Sequence, residues 1–296
     1  MGKALRDAFP ICRDAFLEAD AALGEPLSRI AFEGPDAELM LTENTQPAIL
    51  AVSVAAARLL ESRGISPALV AGHSLGEYSA NVVAGTFPFE EALRIVRRRG
   101  RYMQEAVPVG EGSMAAILGL EADRVAEACA GAADAGVVSA ANLNGPGQVV
   151  IAGGRDAVAK ASERAKALGA RRVVPLSVSA PFHCALMKPA LDRLAPELRA
   201  LPAARPRVPI VANVDAEPKR DAASAIEALV AQVSAPVLWE AVIRRLASEG
   251  VTTYVEVGPG TVLSGLVRKI HREAAVRSFS SPDDLAAIES LITPHV

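Results

Sequence analysis

The sequence has few aromatic residues and few cysteines. Aromatic side chains make up only 4% of the 296 residues, while 51% of the residues are hydrophobic. The core must therefore be built from Ala, Val, Leu and Ile rather than from large rings. The three cysteines, Cys12, Cys129 and Cys184, have neither the spacing of a zinc or redox motif nor the even number of a disulfide framework. We expect reduced thiols, as in a cytosolic protein.

Long apolar runs and an excess of positive charge are also missing. No apolar run approaches the ~18 residues needed to span a bilayer, and the N-terminus has no apolar region typical of a signal peptide. The formal net charge is −3, which argues against a general nucleic-acid-binding protein. We therefore expect a cytoplasmic protein whose partners include neither a membrane nor a nucleic acid.

The order of predicted elements indicates a large α/β unit that is interrupted by a smaller α+β unit. In the larger unit, residues 1–110 and 179–296, we predict helices over 46–63, 75–83, 89–103, 223–233 and 239–248, and strands over 68–71, 208–214 and 252–257. In the smaller unit, residues 111–178, we predict strands over 113–118, 137–143, 148–152 and 172–178, and helices over 122–130 and 157–167.

A Gly-His-Ser-Leu-Gly segment at 72–76 follows the predicted strand over 68–71 and precedes a predicted helix. This pattern is typical of a nucleophile elbow, in which a sharp turn exposes a serine at a helix N-terminus. The flanking glycines let the chain turn without Cβ clashes, and the helix N-terminus favours developing negative charge. We predict that Ser74 is a nucleophile; the alternative is a glycine-rich turn with an inert serine.

A nucleophilic serine needs a base, and the chain has only four histidines. His295 is at the C-terminus, His271 is at the end of a predicted helix, and the side chain of His73 is expected to point away from Ser74. His183 follows the end of a predicted strand, where catalytic groups often lie. We predict that His183 is the base, although a lone histidine beside an apolar segment is often structural.

Arg99 shares one face of its predicted helix with the apolar residues Ala92, Val96 and Met103. A buried guanidinium is costly unless it is paired, and its planar fork matches a carboxylate. We predict that Arg99 binds a substrate carboxylate; the alternatives are a structural salt bridge or a side chain that reaches back to solvent. The other arginines of the helix are predicted to form a solvated stripe, namely Arg94, Arg97, Arg98 and Arg101.

Several longer motifs, in order over nearly the whole chain, resemble one family. They are Gly-His-Ser-Leu-Gly-Glu-Tyr-Ser-Ala at 72–80, Arg-Gly-Arg-Tyr-Met-Gln at 99–104, Pro-Gly-Gln-Val-Val-Ile-Ala-Gly at 146–153, His-Cys-Ala-Leu-Met at 183–187 and Glu-Val-Gly-Pro-Gly at 256–260. The resemblance is to the bacterial malonyl-CoA:acyl carrier protein transacylases of fatty-acid synthesis. Related acyltransferase domains occur in polyketide synthases.

This resemblance implies a fold and a catalytic pair. The fold is α/β, with a hydrolase-like core built on a parallel sheet and an inserted ferredoxin-like α+β subdomain. Ser74 would carry the acyl group and His183 would be its base. The main-chain carbonyl of Gln232 would hold the histidine, in place of the carboxylate of a Ser-His-Asp triad.

The resemblance also implies how the substrate is bound. Leu75 would offer an oxyanion N–H, Arg99 would bind the malonyl carboxylate, and Phe182 would crowd a methyl branch on the acyl group. The substrates would be malonyl-CoA and the phosphopantetheine-bearing acyl carrier protein, with no metal or other cofactor. We expect a monomer.

The beginning of the sequence departs from the family pattern. Members normally open with a strand and a Gly-Gln-Gly-Ser-Gln turn, whose first Gln supplies a second oxyanion N–H. The segment 1–5, Met-Gly-Lys-Ala-Leu, resembles the part of the family pattern that comes directly after that turn. We therefore expect the natural protein to carry the strand and the turn upstream of Met1, and a chain without them to be slower and less stable.

Two other functions are consistent with the same residues. An esterase or thioesterase also uses a nucleophile elbow, but its histidine commonly comes late in the chain, after an acid. A catalytically weak homologue could bind acyl groups or carrier protein without turnover. An assay of whether water or a thiol accepts the acyl group distinguishes an esterase or thioesterase from a transacylase. Trapping of malonate on Ser74 distinguishes a binding protein from an enzyme.

Overall fold

The computed structural model describes residues 1–178 and 180–292 and shows a mixed α/β chain. The helices are α1 (Lys3–Ala8), α2 (Pro10–Leu23), α3 (Leu27–Glu33), α4 (Asp36–Leu39), α5 (Thr42–Ser62), α6 (Leu75–Val83), α7 (Phe89–Glu105), α8 (Ala122–Ala130), α9 (Arg155–Ala167), α10 (Lys188–Arg199), α11 (Ala222–Gln232), α12 (Trp239–Ser248), α13 (Val262–Ile270) and α14 (Leu285–Ile292). The strands are β1 (Gly112–Leu118), β2 (Val138–Gly145), β3 (Gln148–Gly154), β4 (Arg172–Pro175), β5 (Ile210–Val211), β6 (Pro218–Lys219), β7 (Thr253–Val257) and β8 (Ala275–Phe279). Within the described ranges, no helix is both long enough and apolar enough to cross a bilayer.

The segment from β1 to β4 forms one antiparallel sheet with two helices. The elements follow the order β1–α8–β2–β3–α9–β4, and the strands lie side by side in the order β2–β3–β1–β4. Met114 of β1 lies opposite Ala152 of β3, and Ala116 lies opposite Val174 of β4. The predicted strands and helices of this segment are therefore confirmed, with shifts of a few residues at their ends.

The two faces of this sheet pack against different parts of the molecule. Because side chains alternate along a strand, Ile117 and Ile151 point to one face, where they pack with Val125 of α8 and Ala161 of α9. The other face carries Met114, which belongs to a core cluster with Cys184 from the loop after β4. The sheet therefore supports the loop that contains His183.

Outside the segment from β1 to β4, the helical core is centred on α5, which is buried along most of its length and packs mainly against α2 and α7. Its buried positions are mainly Ala, Val and Leu, whose small or branched side chains let neighbouring helices approach closely. A Cβ atom on Gly100 of α7 would lie 2.6 Å from Glu43 Cα of α5. The absence of a side chain at Gly100 thus lets α7 bring Arg99 against the inner face of α5.

The parallel sheet of the larger unit is more fragmentary than the sequence predicts. β7 and β8 are parallel neighbours, from Thr253 opposite Ala275 to Val257 opposite Phe279. The predicted strand over 68–71 is reduced to one parallel bridge between Val70 and Ile210, and the predicted strand over 208–214 is reduced to β5. The positions of these strands are right, but their predicted lengths are wrong.

Two local features explain why the pairing stops on both sides of Val70. The Val70 N–H donates to Pro209 O at 3.0 Å, and the Val211 N–H donates to Val70 O at 2.9 Å. Pro209 has no N–H with which to continue the ladder. On the other side, Gly72 O accepts its hydrogen bond from the Asn213 side chain at 2.7 Å instead of from a main-chain N–H. The chain therefore leaves the sheet where the elbow begins.

Candidate active site

Ser74 lies on a strained turn between the Val70 bridge and the first residue of α6. Its φ of 52° and ψ of −107° are sparsely populated for a residue with a side chain. A Cβ atom on Gly72 would lie 2.0 Å from the Gly76 carbonyl carbon, so the turn requires glycine at position 72. The Ser74 N–H donates to Asn213 Oδ1 at 2.7 Å, while Asn213 Nδ2 donates to Gly72 O. The Asn213 side chain thus bridges the elbow on both sides of His73.

His183 comes from the loop after β4 and meets Ser74 directly. Its Nε2 is 2.7 Å from Ser74 Oγ, and its Nδ1 is 3.0 Å from the main-chain oxygen of Gln232 at the end of α11. A carbonyl oxygen can only accept, so Nδ1 carries the hydrogen and Nε2 is left as the acceptor for the serine hydroxyl. This is the tautomer that a general base for Ser74 requires.

The electrostatic surroundings keep His183 neutral. Burial, helped by the positive charge of Arg99 and by the nearby His73, lowers the pKa of His183 to about 3. A group with so low a pKa is unprotonated throughout the neutral range. The imidazole is therefore free to accept the Ser74 proton.

Arg99 extends from α7 to Ser74 and is almost completely buried, with 2% of its surface exposed. Its Nη1 donates to Gln46 Oε1 at 2.7 Å, and its Nη2 donates to Ser74 Oγ and to Gln232 Oε1, both at 3.0 Å. In the described part of the chain, these hydrogen-bond acceptors are all uncharged, and Nε has none. Burial lowers the pKa of the guanidinium below its ordinary value. The side chain is thus a buried cation without a directly bonded carboxylate.

The prediction for the neighbouring arginines is wrong at one position. Arg97 is buried, and its guanidinium donates to Asn44 and to Glu25. Because α2 and α5 pack against α7, and Asn44 at the start of α5 bonds the guanidinium, only 8% of the Arg97 surface is exposed. The remaining arginines of the predicted stripe are partly exposed and pair with surface carboxylates, as Arg94–Glu91, Arg98–Glu197 and Arg101–Glu43.

A buried network behind Ser74 was not predicted from the sequence. Glu77 Oε2 accepts from Gln232 Nε2 at 2.7 Å and from the Asn213 N–H at 3.1 Å. Gln232 Nε2 also donates to Ser74 O at 3.0 Å. Burial raises the pKa of Glu77 to about 7, against the lowering effect of the hydrogen bonds from Gln232 and Asn213. The network joins the elbow to the residue that holds His183.

Leu75 directly follows Ser74, and Phe182 directly precedes His183. Leu75 is the first residue of α6, and none of the described hydrogen bonds uses its N–H. A free N–H in the first turn of a helix can donate to a ligand oxygen next to Ser74. Phe182 is half-buried and packs against two hydrophobic clusters, one that includes Met187 and one that includes Met114.

The other histidines are engaged elsewhere. His73 Nε2 is 2.8 Å from Asn144 Oδ1 of β2, and its ring lies 5.5 Å from the ring of Trp239. His271 Nδ1 is 3.1 Å from the Tyr254 hydroxyl. His295 lies outside the described residues. Over the described chain, no group of three or more His, Cys, Asp or Glu side chains is arranged to hold a metal ion.

A family model described as an acyl transferase domain matches residues 1–282. The chain belongs to the acyl transferase family. Within that family it is similar to the malonyl CoA-acyl carrier protein transacylase of Salmonella typhimurium, with 49% identity over 280 residues that cover 94% of this chain and 91% of the relative. The protein of the same description from Bacillus subtilis is 46% identical over 293 residues, covering 98% of this chain and 92% of the relative.

Solved structures show the same similarity. An acyl carrier protein S-malonyltransferase from Vibrio cholerae superposes with a TM-score of 0.95 at 44% identity, over 97% of this chain and 94% of the other. A malonyl-transacylase solved in complex with its type II PKS acyl-carrier protein gives a TM-score of 0.95 at 43% identity, over 98% of this chain and 94% of the other. The similarity therefore extends over the whole architecture and is not confined to the elbow.

Proposed function

We propose that the chain transfers the malonyl group from malonyl-CoA to the phosphopantetheine thiol of an acyl carrier protein, through a malonyl-serine at Ser74. The observation that carries this proposal is the Arg99 guanidinium, which is buried, lacks a bonded carboxylate and lies 3.0 Å from Ser74 Oγ. A malonyl group has a free carboxylate two bonds from its reacting carbonyl carbon, so one acyl group can pair with Arg99 and present its thioester to Ser74.

In the first half-reaction, Ser74 Oγ attacks the thioester carbon while its proton passes to His183 Nε2. The oxyanion forms beside the Leu75 N–H, and the imidazolium is held by its Nδ1–H bond to Gln232 O. Collapse of the tetrahedral intermediate breaks the carbon–sulfur bond, and the CoA sulfur takes the proton from His183. The products are free CoA and a malonyl ester on Ser74.

The second half-reaction runs the same steps in reverse order with a different thiol. The phosphopantetheine thiol gives its proton to His183 and attacks the malonyl ester. The Ser74 oxygen leaves and takes that proton back, so the enzyme returns to its starting state. The relatives' names support this choice of acceptor and do not favour the esterase or thioesterase alternative.

Intact-mass measurement tests the function directly. On mixing with malonyl-CoA alone, we expect a stable malonyl adduct on the protein and an equal amount of free CoA. On addition of acyl carrier protein that bears phosphopantetheine, the adduct should disappear and the carrier protein should gain the malonyl group. Release of free malonate instead would indicate a thioesterase, and the absence of any adduct would indicate a binding protein.

Arg99 is proposed to select malonyl over neutral acyl groups. A charge-assisted hydrogen bond contributes about 1.5–3 kcal/mol, so Arg99→Ala should change the ratio of malonyl to acetyl transfer by about tenfold or more against malonyl. Competition between the two CoA thioesters measures this ratio. Arg98→Ala is the matched control, because Arg98 lies on the same helix and pairs with Glu197 at the surface. Equal losses on both substrates would make Arg99 a structural residue.

Phe182 is proposed to exclude branched acyl groups. Its side chain is half-buried one residue before His183, whose Nε2 contacts Ser74 Oγ. Phe182→Ser should therefore admit methylmalonyl-CoA more readily relative to malonyl-CoA, as measured by acylation rates with each. An unchanged preference would remove Phe182 from the specificity of the site.

We also propose the finer architecture. Residues 111–178 form a ferredoxin-like subdomain, supported by the βαββαβ order and by the strand order β2–β3–β1–β4. Residues 1–110 and 179–296 form a hydrolase-like core, supported by the elbow that follows the Val70 bridge. We further propose a cytoplasmic monomer. It needs no redox cofactor, because acyl transfer changes no oxidation state, and no metal, because Ser74 and His183 supply the nucleophile and the base. Sedimentation tests the monomeric state, and activity after dialysis against EDTA tests the independence from metal.

A further inference from the structure

We propose that Glu77 is a positioning residue for acyl transfer, because one of its carboxylate oxygens joins the residue that holds the nucleophile to the residue that holds the base. This inference rests on the proposed function of the Ser74–His183 pair. Glu77 is in the first turn of α6, has 1% of its surface exposed, and the described hydrogen bonds of its carboxyl come from Asn213 and Gln232 rather than from Ser74 Oγ or His183. Its effect therefore passes through Asn213 and Gln232.

The geometry places both connections on a single atom. Glu77 Oε2 accepts from the Asn213 N–H at 3.1 Å, and the Asn213 side chain in turn bonds both Ser74 N–H and Gly72 O. The same oxygen accepts from Gln232 Nε2 at 2.7 Å, and the main-chain oxygen of Gln232 bonds His183 Nδ1. Movement of this oxygen would shift the serine and the histidine relative to each other.

Glu77 also fixes which way the Gln232 amide faces. Nε2 donates to Glu77 Oε2 and to Ser74 O, while Oε1 accepts from Arg99 Nη2. In the flipped amide, Oε1 would face two oxygen acceptors and Nε2 would face the guanidinium, so all three contacts would be repulsive. A carboxylate at position 77 can only accept when it is ionised, and it therefore selects the orientation that steadies Arg99.

If Glu77 were only a structural residue, its replacement should lower stability. The electrostatics of its carboxyl predict instead that an uncharged replacement is tolerated at pH 8. The charged or titratable groups that face its carboxyl are Arg99 of α7, Asp215 after β5 and Tyr78 of α6, while Gln232 of α11 is neutral. Burial raises the pKa of Glu77 from 4.5 to about 7. The folded state therefore binds this proton more tightly than the unfolded state, and the contribution of Glu77 to stability decreases as the pH rises from 4.5 to about 7. An uncharged residue of the same shape should thus be tolerated or stabilising at pH 8.

Glu77→Gln and Glu77→Ala separate the two roles. The readout is the rate at which a fluorophosphonate probe labels Ser74, since this reaction needs the serine and histidine but no malonyl carboxylate. We expect Glu77→Ala to slow labelling by about tenfold or more, because two buried donors lose their acceptor. Glu77→Gln keeps an oxygen that can accept both bonds and should recover part of the rate. Its melting temperature at pH 8 should be no lower than that of the wild type.

The pH dependence of the labelling rate distinguishes a positioning residue from a structural one, because a purely structural residue would not change it. As the pH falls below about 7 the Glu77 carboxylate takes up a proton, so wild-type labelling should slow there, whereas the Gln variant should show no such inflection. Wild-type rates in both variants together with an unchanged profile would overturn the proposal. If the Ala variant fails to fold, the isosteric Gln variant decides. A wild-type protein that reacts with the phosphonate but takes no malonyl group would refute the proposed function and leave the Glu77 comparison intact.

Discussion

Replacing Ser74 with Ala should abolish the malonyl adduct completely. No other group in the described site offers an oxygen between His183 Nε2 and Arg99 Nη2, which both contact Ser74 Oγ. The fold should be retained, because the turn is held by the main-chain N–H of Ser74 and by Asn213 rather than by the hydroxyl. Intact mass after mixing with malonyl-CoA measures the first effect, and circular dichroism measures the second.

The matched control for this variant is Ser79→Ala, in helix α6, which begins directly after Ser74. The Ser79 hydroxyl is buried and has no hydrogen-bond partner in the described structure, so its removal should leave the adduct unchanged. Peptide mapping of the labelled wild type should place the malonyl group at position 74. Labelling that persists in Ser74→Ala would identify a different nucleophile.

Replacing His183 with Ala should have the second-largest effect, on the rate of acylation. General base catalysis typically contributes about 10²–10⁴-fold, and the other described histidines bond Asn144 and Tyr254 rather than Ser74. Rapid-quench measurement of the malonyl adduct gives the rate. His271→Ala serves as the control, because its imidazole lies at the end of α13. A near-normal rate in His183→Ala would show that another group takes the serine proton.

The position of Arg99 could be predicted because helical periodicity encodes which side of a helix is buried. Its spacing with Ala92, Val96 and Met103 depends on α7 alone. The burial of Arg97 could not be predicted in this way, because it depends on Asn44 and Glu25 from other helices. Periodicity predicts which residues of a helix face the core. Whether the residues at the edges of that face are buried depends on the neighbouring helices.

The parts of the site that the sequence did not predict are those that form only between distant segments. Glu77 is separated by 136 residues from Asn213 and by 155 from Gln232. The available signal was weak: an asparagine within the apolar run at 208–214, and a glutamate in the first turn after the elbow. A polar residue in a run that otherwise predicts a buried strand has to find a partner, but its partner cannot be chosen without the fold.

The secondary structure also divides into parts that depend on local sequence and parts that depend on distant segments. The helices Ala122–Ala130 and Trp239–Ser248 have the predicted bounds, because local pattern and propensity determine a helix. Strand lengths near the elbow were overestimated because they depend on the partner strand. There, Pro209 cannot donate and Asn213 uses its side chain instead of its main chain.

The separation of the catalytic pair along the chain has a consequence for refolding. Ser74 and His183 are 109 residues apart, Ser74 and Gln232 are 158 apart, and the βαββαβ segment lies between the serine and the histidine. Contacts between residues so far apart in the sequence form slowly, because a long loop must close before the contact stabilises it. After dilution from denaturant, helical signal should therefore return before transferase activity. We therefore expect activity to report a late assembly step, in which the loop after β4 brings the His183 imidazole to Ser74.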